Sequence, residues 1–353
     1  MTRRLRIREC IARAWELFQL TWALPFKFAC QRIGLPRTPQ VYITSTEGWR
    51  YPVFLAHCLT AVTVIECHRR DVAFYLRVLR PRDFLCRVFV RFGAIRSSIA
   101  IENKVPAENN TILHRVQIDD GFWTAREDDH KHVLPYFAHP NFYQAGLDLA
   151  APGMRDRSRL IRIFFSGTVD RITYTERFEF PILDRATIID FVREEFGAQV
   201  AMNAAPGNPA AVRPIQLMVT CDVRDTTAKH RFSPGEYLDV LSRTEFVLAP
   251  PGYRVPTCHN LIEAMSVGAI PITNYAECMF PPMQHGVNCL TFSSLDGLRS
   301  AIQTALTMST AEAAELRCGV VAFYETFLAR EAVGRALLQR LPQIRPLVVN
   351  AEK

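Results

Sequence analysis

The residues with the clearest chemical potential lie in one polar loop and at the start of the segment that follows it. Pro250, Pro251 and Gly252 would fix the shape of the chain there, and Thr257 adds a hydroxyl before the apolar residues resume. A helix that begins at this point would present unpaired N–H groups and a positive dipole end, which suits a phosphate. Glu263, one turn into that helix, could accept hydrogen bonds from two vicinal hydroxyls, such as those of a ribose. On spacing alone, Glu263 is equally compatible with a solvated helix carboxylate.

A strand, a helix and a second strand must hold this loop in place. Glu245 to Ala249 is a short apolar run with the composition of a buried strand. His259 to Val267 predicts a helix, and Gly268 is the residue type expected just past its end. Ile270 to Thr273 predicts the next strand. This order is the building unit of a parallel α/β sheet, in which ligands bind outside the carboxyl ends of the strands.

A second loop with chemical potential lies earlier in the chain. Leu160 to Phe165 predicts a strand, which runs directly into Ser166, Gly167 and Thr168, with Arg171 just beyond. Small residues let backbone amides approach a ligand closely, and a guanidinium can pair with two oxygens at once. This combination favours a diphosphate.

The stretch from Phe246 to Ile272 contains several characteristic residue types at defined spacing. The pattern is F-x-L-x-P-x-G, a loop of several residues, and then E-A-x-x-x-G-x-x-P-[IV]. The matching positions are Phe246, Leu248, Pro250, Gly252, Glu263, Ala264, Gly268, Pro271 and Ile272. This pattern resembles the nucleotide-sugar half of GT-B glycosyltransferases, in particular the exostosin-like group, whose F-F-x-G element is similar to the residues ending at Gly167. The exostosin-like pattern usually has an arginine three residues before the carboxylate, where this chain has Asn260.

The resemblance implies a site for a nucleotide-sugar donor in the second half of the chain. We expect that site to contain Gly167, Arg171, Gly252, Tyr253, Arg254, Thr257, His259, Asn260 and Glu263. Tyr253 could stack on a base or pack in the core, and Arg254 could reach the diphosphate or face solvent. Helix N-termini and basic side chains can stabilise a leaving diphosphate, and the sequence has no clear D-x-D pair in a loop. We therefore expect transfer without a metal and no cofactor, since the nucleotide sugar is a substrate.

An inverting reaction would also need a general base that deprotonates the acceptor hydroxyl, and we expect it on the acceptor side. Glu47 leads the candidates because it follows a predicted strand, Val41 to Thr44. His139, in a segment rich in proline and aromatic residues, comes next, and Asp119 and Asp120 complete the set. A retaining reaction would need no such base, and the sequence leaves the stereochemistry open.

Composition and charge describe a globular protein with an uneven basic surface. The chain has 353 residues, of which 49% are hydrophobic and 22% charged, and its net charge is +7. Residues 3–31 interleave arginines with aromatic and aliphatic residues, so we expect a helical segment that either lies on an anionic membrane surface or packs on the protein. No apolar run is long enough to span a membrane, and no nucleic-acid motif accompanies the charge.

Cysteine usage indicates a reducing compartment. Ten cysteines are scattered along the chain without any C-x-x-C pair, which favours free thiols over disulfides or a zinc site. Together with the absence of a cleavable signal pattern, this predicts a cytoplasmic protein, with peripheral attachment to the membrane through residues 3–31 as one alternative.

We divide the chain into three parts. Residues 1–37 form the basic amphipathic segment, 38–150 an acceptor-side Rossmann-like domain, and 151–353 a nucleotide-sugar-binding Rossmann-like domain with terminal helices. The first domain is more weakly patterned, and Asp71 to Phe92 predicts a long helical region within it. With the resemblance, the expected fold class is α/β and GT-B-like, with two Rossmann-like domains facing a cleft.

The leading hypothesis is a glycosyltransferase that moves a sugar from a nucleotide-sugar donor to a glycan or lipid-linked saccharide acceptor. The absence of a spanning anchor fits surface polysaccharide or glycoconjugate biosynthesis, since Golgi members of the exostosin-like group usually carry one. A nucleotide-sugar epimerase on the same fold is one alternative. The other is a non-catalytic partner protein, which Asn260 in place of arginine keeps open.

Overall fold

The computed structural model describes eleven stretches of the chain, namely residues 40–45, 73–77, 99–101, 114–119, 132–135, 137–169, 182–203, 213–220, 232–252, 256–340 and 347–349. The chain falls into two compact units. The first contains Met1–Leu134 and Val333–Val349, and the second contains Pro135–Ala332 and Asn350–Lys353. The basic segment 1–37 lies outside the described residues.

The first unit contains a six-stranded parallel sheet. Its strands are β1 (Gln40–Ser45), β2 (Ala73–Arg77), β3 (Ile99–Ile101), β4 (His114–Asp119), β5 (His132–Leu134) and β12 (Leu347–Val349). They lie in the order β3-β2-β1-β4-β12-β5, and every pair is parallel.

The helical prediction for Asp71 to Phe92 is wrong at Ala73–Arg77, which forms β2 between β1 and β3. A strand inside a parallel sheet reads as a short continuous apolar run, and periodicity alone cannot tell such a run from a buried helical turn. Pairing with strands on both sides decides the outcome, and that pairing is not visible in the local sequence.

The second unit contains another six-stranded parallel sheet. Its strands are β6 (Ile161–Thr168), β7 (Val200–Met202), β8 (Ile215–Thr220), β9 (Thr244–Leu248), β10 (Ile270–Thr273) and β11 (Leu290–Thr291). The order is β11-β10-β9-β6-β8-β7. From β6 the chain moves to one side, through β7 and β8, and then returns to the other side at β9. The sheet therefore reverses its winding between β6 and β9, and ligands of open α/β sheets bind at such a switch point.

The structure describes eight α-helices. In chain order they are α1 (Pro140–Gln144), α2 (Leu147–Ala150), α3 (Arg185–Glu195), α4 (Pro234–Ser242), α5 (His259–Ser266), α6 (Leu295–Thr307), α7 (Thr310–Phe323) and α8 (Arg330–Arg340), with a π-helical turn at Tyr324–Leu328. Of these, α3, α4 and α5 connect strands of the second unit, and α8 runs from the second unit into the first. Two of the helices begin with a complete capping box, Ser233 with Glu236 on α4 and Ser309 with Glu312 on α7.

The core of the second unit surrounds β9, which is buried along its whole length. Its carboxylate Glu245 is buried too, and forms an ion pair with Arg317 of α7. Past the end of α5, Gly268 has a φ of 75°, in the left-handed region that favours glycine, as the sequence predicts. A Cβ there would lie 3.1 Å from Cγ of Arg317, a tight contact, so the packing also favours glycine.

The border between the two units lies at Leu134–Pro135, earlier than the 150/151 border expected from the sequence. The chain also returns to the first unit at Val333, because β12 pairs with both β4 and β5. The C-terminal part of the expected second domain is thus divided between the units.

The predicted α/β class with two Rossmann-like domains is confirmed, since each unit has its own parallel sheet. The cleft stays a prediction. In the part of the chain that the structure describes, no helix combines the length and apolar character needed to cross a membrane.

Candidate functional site

The candidate site lies at the switch point of the second sheet, where β6 and β9 are neighbours and Phe164 aligns with Val247. The carboxyl end of β6 carries Ser166, Gly167 and Thr168, and β9 continues into the loop that leads to α5. Both loops that the sequence singled out therefore meet at one edge. Asn260 joins them directly, since its Nδ2 donates to the Ser166 carbonyl at 3.0 Å.

The first turn of α5 is open. Its N-cap residue, Cys258, has an extended backbone and makes no side-chain cap hydrogen bond. The preceding Thr257 is only 1% exposed, and its hydroxyl has no hydrogen-bond partner among the described residues. An unpartnered buried hydroxyl costs about 1–3 kcal/mol and is rare in folded proteins. The start of α5 therefore keeps hydrogen-bonding groups that no described side chain satisfies.

Glu263 is buried beside this helix start, with 6% of its surface exposed, so the solvated alternative is excluded. Its Oε1 accepts a hydrogen bond from the backbone N–H of His139 at 2.9 Å. Burial raises the pKa of the carboxyl to about 8, against the opposing effect of the His139 N–H. Near neutral pH the group is therefore largely protonated, and it can donate through one oxygen while the other accepts from His139.

Two histidines lie side by side at the site. The rings of His139 and His259 are 5.2 Å apart, centre to centre, and are inclined at 64°. His139 is the N-cap of α1, where its Nδ1 accepts from the Asn141 N–H at 3.2 Å. Burial, then the neighbouring His139 and Arg185, lowers the pKa of His259 to about 3. His259 is thus uncharged at neutral pH and interacts with a ligand as a neutral hydrogen-bonding group.

The two loops pack tightly around a buried arginine. The Gly252 N–H donates to the Pro256 carbonyl at 3.0 Å, which closes the loop after β9. A Cβ on Gly167 would lie 3.2 Å from Cζ of Phe165 and 3.6 Å from Nη1 of Arg185. Glycine at position 167 therefore avoids a tight contact with the Phe165 ring, and Arg185 lies at van der Waals distance beside it.

Sequence reasoning missed Arg185 and Tyr275. Arg185 follows the N-cap Asp184 at the start of α3, a position that normally indicates a surface arginine, yet it is buried. Tyr275 follows β10, and its buried hydroxyl has no partner among the described residues. No local pattern marks either residue, because both are buried by segments distant in sequence.

All six of the predicted donor residues that the structure describes lie at this edge of the sheet, namely Gly167, Gly252, Thr257, His259, Asn260 and Glu263. Arg171, Tyr253 and Arg254 lie outside the described residues. Their roles stay predictions.

The candidate bases are dispersed. His139, expected on the acceptor side, lies in the second unit beside the donor residues. Asp119 is the last residue of β4 in the first unit, where it aligns with Val348 of β12. Glu47 and Asp120 lie outside the described residues. Among the described residues, no group of three or more His, Cys, Asp or Glu side chains could hold a metal ion. Metal independence remains a prediction.

Comparison with known proteins shows similarity in solved structures only. No protein-family model matches the chain, and no curated protein matches it. A glycosyltransferase from Rickettsia africae is similar over 86% of this chain and 97% of its own, with 6% identity and a TM-score of 0.45.

Two further glycan-related structures are similar at the same level. AviGT4, a glycosyltransferase of avilamycin A biosynthesis, is similar over 85% of this chain and 96% of its own, with 10% identity and a TM-score of 0.40. Anabaena Alr3699/HepE in complex with UDP and glucose is similar over 86% of this chain and 99% of its own, with 11% identity and a TM-score of 0.38. At these identities and TM-scores, the chemistry of the site rests on this chain's own residues.

Proposed function

We propose that this chain is a glycosyltransferase that moves a sugar from a nucleotide-sugar donor to a glycan or lipid-linked saccharide acceptor. The observation that carries the proposal is the site between β6 and β9. An uncapped helix start, a buried hydroxyl without a partner and a buried carboxyl meet there, at the switch point of a parallel sheet. The motif that supplies these groups is the one that resembles the donor half of GT-B enzymes.

The start of α5 provides the contacts for the donor diphosphate. Its backbone N–H groups and dipole favour an anion, and the hydroxyl of Thr257 can donate to a phosphate oxygen. These groups are fixed before the reaction, so they would stabilise the negative charge that develops on the diphosphate as the sugar leaves. His259 is uncharged at neutral pH, and Asn260 is bonded to the Ser166 carbonyl, so neither supplies a cation.

Glu263 provides the contact for the ribose. Because Oε1 is held by the His139 N–H, the carboxyl has one orientation, and Oε2 makes no hydrogen bond within the described residues. A ribose hydroxyl can donate or accept, so it suits this oxygen in either protonation state. A deoxyribonucleotide lacks one of the two vicinal hydroxyls, so this contact would favour a ribonucleotide.

The finer parts of the proposal rest on the sequence. They are metal-independent transfer, a base among Glu47, Asp119 and His139 for an inverting reaction, and a role in surface polysaccharide or glycoconjugate biosynthesis. A cytoplasmic location, with residues 3–31 on an anionic membrane surface, belongs to the same set.

The proposal is tested by thermal unfolding with nucleoside diphosphates and nucleotide sugars, beginning with UDP because the HepE structure contains it. A ligand that binds only the folded protein raises the Tm. We expect one base family to do so, and Thr257→Val to reduce its affinity by roughly tenfold through the loss of one hydrogen bond to a charged group. Thr307→Val is the matched control, since Thr307 is exposed and bonds only within α6.

Product analysis separates the alternatives. Release of the nucleotide with transfer to an acceptor, or slow donor hydrolysis without one, is expected of a glycosyltransferase. An epimeric nucleotide sugar formed without an acceptor would identify an epimerase instead. Binding without any turnover would identify a non-catalytic partner. If no nucleotide shifts the Tm of the well-folded protein, the donor-site assignment fails.

A further inference from the structure

A buried arginine, Arg185, contacts three residues that border the proposed donor site. Arg185, the first residue of α3, is 5% exposed. Its Nε donates to the Pro251 carbonyl at 2.9 Å, its Nη1 to the Thr168 carbonyl at 3.2 Å, and its Nη2 to Sγ of Cys258 at 3.5 Å. One guanidinium therefore joins the end of β6, the loop after β9 and the N-cap of α5.

These three partners border the proposed site, so their orientation determines the donors that face a ligand. In a trans peptide the carbonyl of one residue and the N–H of the next point in opposite directions. When the Thr168 carbonyl is directed at Arg185, the N–H of Val169 is directed away from it. A planar fork of five donors can hold several acceptors in fixed directions, which a lysine ammonium cannot do.

The positive charge of Arg185 affects the pKa values of groups around the start of α5. It contributes, after burial and His139, to the low pKa of His259. It also opposes the burial that raises the pKa values of Tyr237 and Tyr275. A charge acts over a longer range in a buried environment than in water, so an anion bound at the helix start would be stabilised by it.

We propose that Arg185 is the positioning residue of the donor diphosphate site, holding its two loops and the start of α5 together and supplying positive potential from behind. Asn260 stands where the exostosin-like pattern has an arginine, and its amide is bonded to Ser166. Arg185 thus compensates for that cation from another helix. This inference rests on the proposed function for its ligand, but its structural half can be measured without one.

The experiment compares Arg185→Lys and Arg185→Met with the unsubstituted protein. Arg213→Met is the matched control, because Arg213 also donates to two carbonyls, of Gly197 and Val200, but lies at the amino-terminal ends of β7 and β8, away from the carboxyl ends that carry the site. Backbone hydrogen exchange is followed at residues 166–169 and 250–258 without ligand. Binding of inorganic pyrophosphate and of the stabilising nucleoside diphosphate is measured at two salt concentrations.

We expect faster backbone hydrogen exchange at both loops in both Arg185 variants, since each loses the guanidinium that holds three acceptors. Arg185→Met should weaken pyrophosphate binding by roughly tenfold or more and flatten its salt dependence, because the positive charge is lost. Arg185→Lys keeps the charge, so it should lose less affinity and retain the salt dependence. This variant also carries the test if Arg185→Met does not fold. Arg213→Met should resemble the unsubstituted protein.

Unchanged exchange at both loops in a folded Arg185→Met protein would overturn the proposal, whatever the ligand result. Equal affinity losses in the two variants, with an unaltered salt dependence, would overturn the electrostatic part. Faster exchange in the variants of a protein that binds no nucleotide would support the positioning role and overturn the proposed function, so the two failures are distinguishable.

Discussion

The first turns of α7 and α5, two helices of the second unit, differ in how their backbone N–H groups are capped. At α7, the Ser309 hydroxyl accepts from the Glu312 N–H at 3.2 Å, and Oε2 of Glu312 accepts from the Ser309 N–H at 2.8 Å. At α5, no side chain caps the helix, and the buried Thr257 hydroxyl has no partner among the described residues. Local sequence stabilises the first start. The start of α5 is held by residues distant in sequence, and no side chain caps its backbone N–H groups.

The glutamates of the two helices differ in the same way. Hydrogen bonds from Ser309 lower the pKa of Glu312, which is exposed to solvent. Burial raises the pKa of Glu263 to about 8. The same residue type is therefore a structural cap in one helix, and a buried carboxyl that accepts from a distant backbone N–H in the other.

The largest effect should come from removing each glutamate and measuring nucleotide affinity. Glu263→Ala should weaken binding of the stabilising nucleoside diphosphate by about a hundredfold, since the hydrogen bond between Oε2 and the ribose is lost and the buried His139 N–H loses its acceptor. Glu312→Ala should leave that affinity unchanged. Calorimetric titration of both variants measures the difference, and equal affinities would remove the distinction between the two helix starts.

The pH dependence of stability should separate the glutamates next. The folded pKa of Glu263 is raised from 4.5 to about 8, so the folded state holds a proton that the unfolded state has lost between these values. Stability from this group is present below pH 4.5, falls by up to about 1.4 kcal/mol per pH unit, and is gone above pH 8. Glu263→Gln should therefore become more stable than the parent as pH rises.

Glu312 should contribute no such slope in that window. Its folded pKa is lowered from 4.5, so its stabilisation is present above pH 4.5 and is lost only as pH falls through the lowered value. Tm values of Glu263→Gln, Glu312→Gln and the parent, measured from pH 5 to 8.5, provide the comparison. A parent Tm that runs parallel to that of Glu263→Gln would contradict the burial of a protonated carboxyl.

The smallest effect should come from exchanging the caps. Ser309→Ala should destabilise the second unit by about 1 kcal/mol, the usual contribution of an N-cap hydroxyl. Cys258→Ser would place a hydroxyl at the open cap of α5, which should raise the Tm without ligand and weaken pyrophosphate binding through competition for the same N–H groups. Denaturant unfolding and titration measure both. Tighter pyrophosphate binding by Cys258→Ser would argue against an open helix start.

Local signals made the framework of the second unit predictable. The strand at Ile270–Thr273 has the predicted bounds, and the helix predicted over His259 to Val267 spans His259–Ser266, because an apolar run and a C-terminal glycine are readable from neighbouring residues. The position of the site followed from the same signals.

The long-range features were not predictable. Glu263 is bonded to His139, which is 124 residues away in sequence, and the burial of Arg185 depends on three separate segments. The strand β2 was mistaken for a helix because sheet pairing, and not local propensity, determines its structure. Residue types therefore indicated the candidate site, but its electrostatics emerged only from the tertiary structure.

The position of β12 has a consequence for biosynthesis. The second unit's main stretch, Pro135–Ala332, is continuous, whereas β12 lies between β4 and β5 of the first sheet. During synthesis, β4 and β5 leave the ribosome long before Leu347–Val349. Until β12 is made, the edges of β4 and β5 that pair with it stay unpaired, while the second unit can already fold. The later domain in sequence would then be the earlier one to mature, and a nascent chain that stops before β12 would expose edges that invite aggregation.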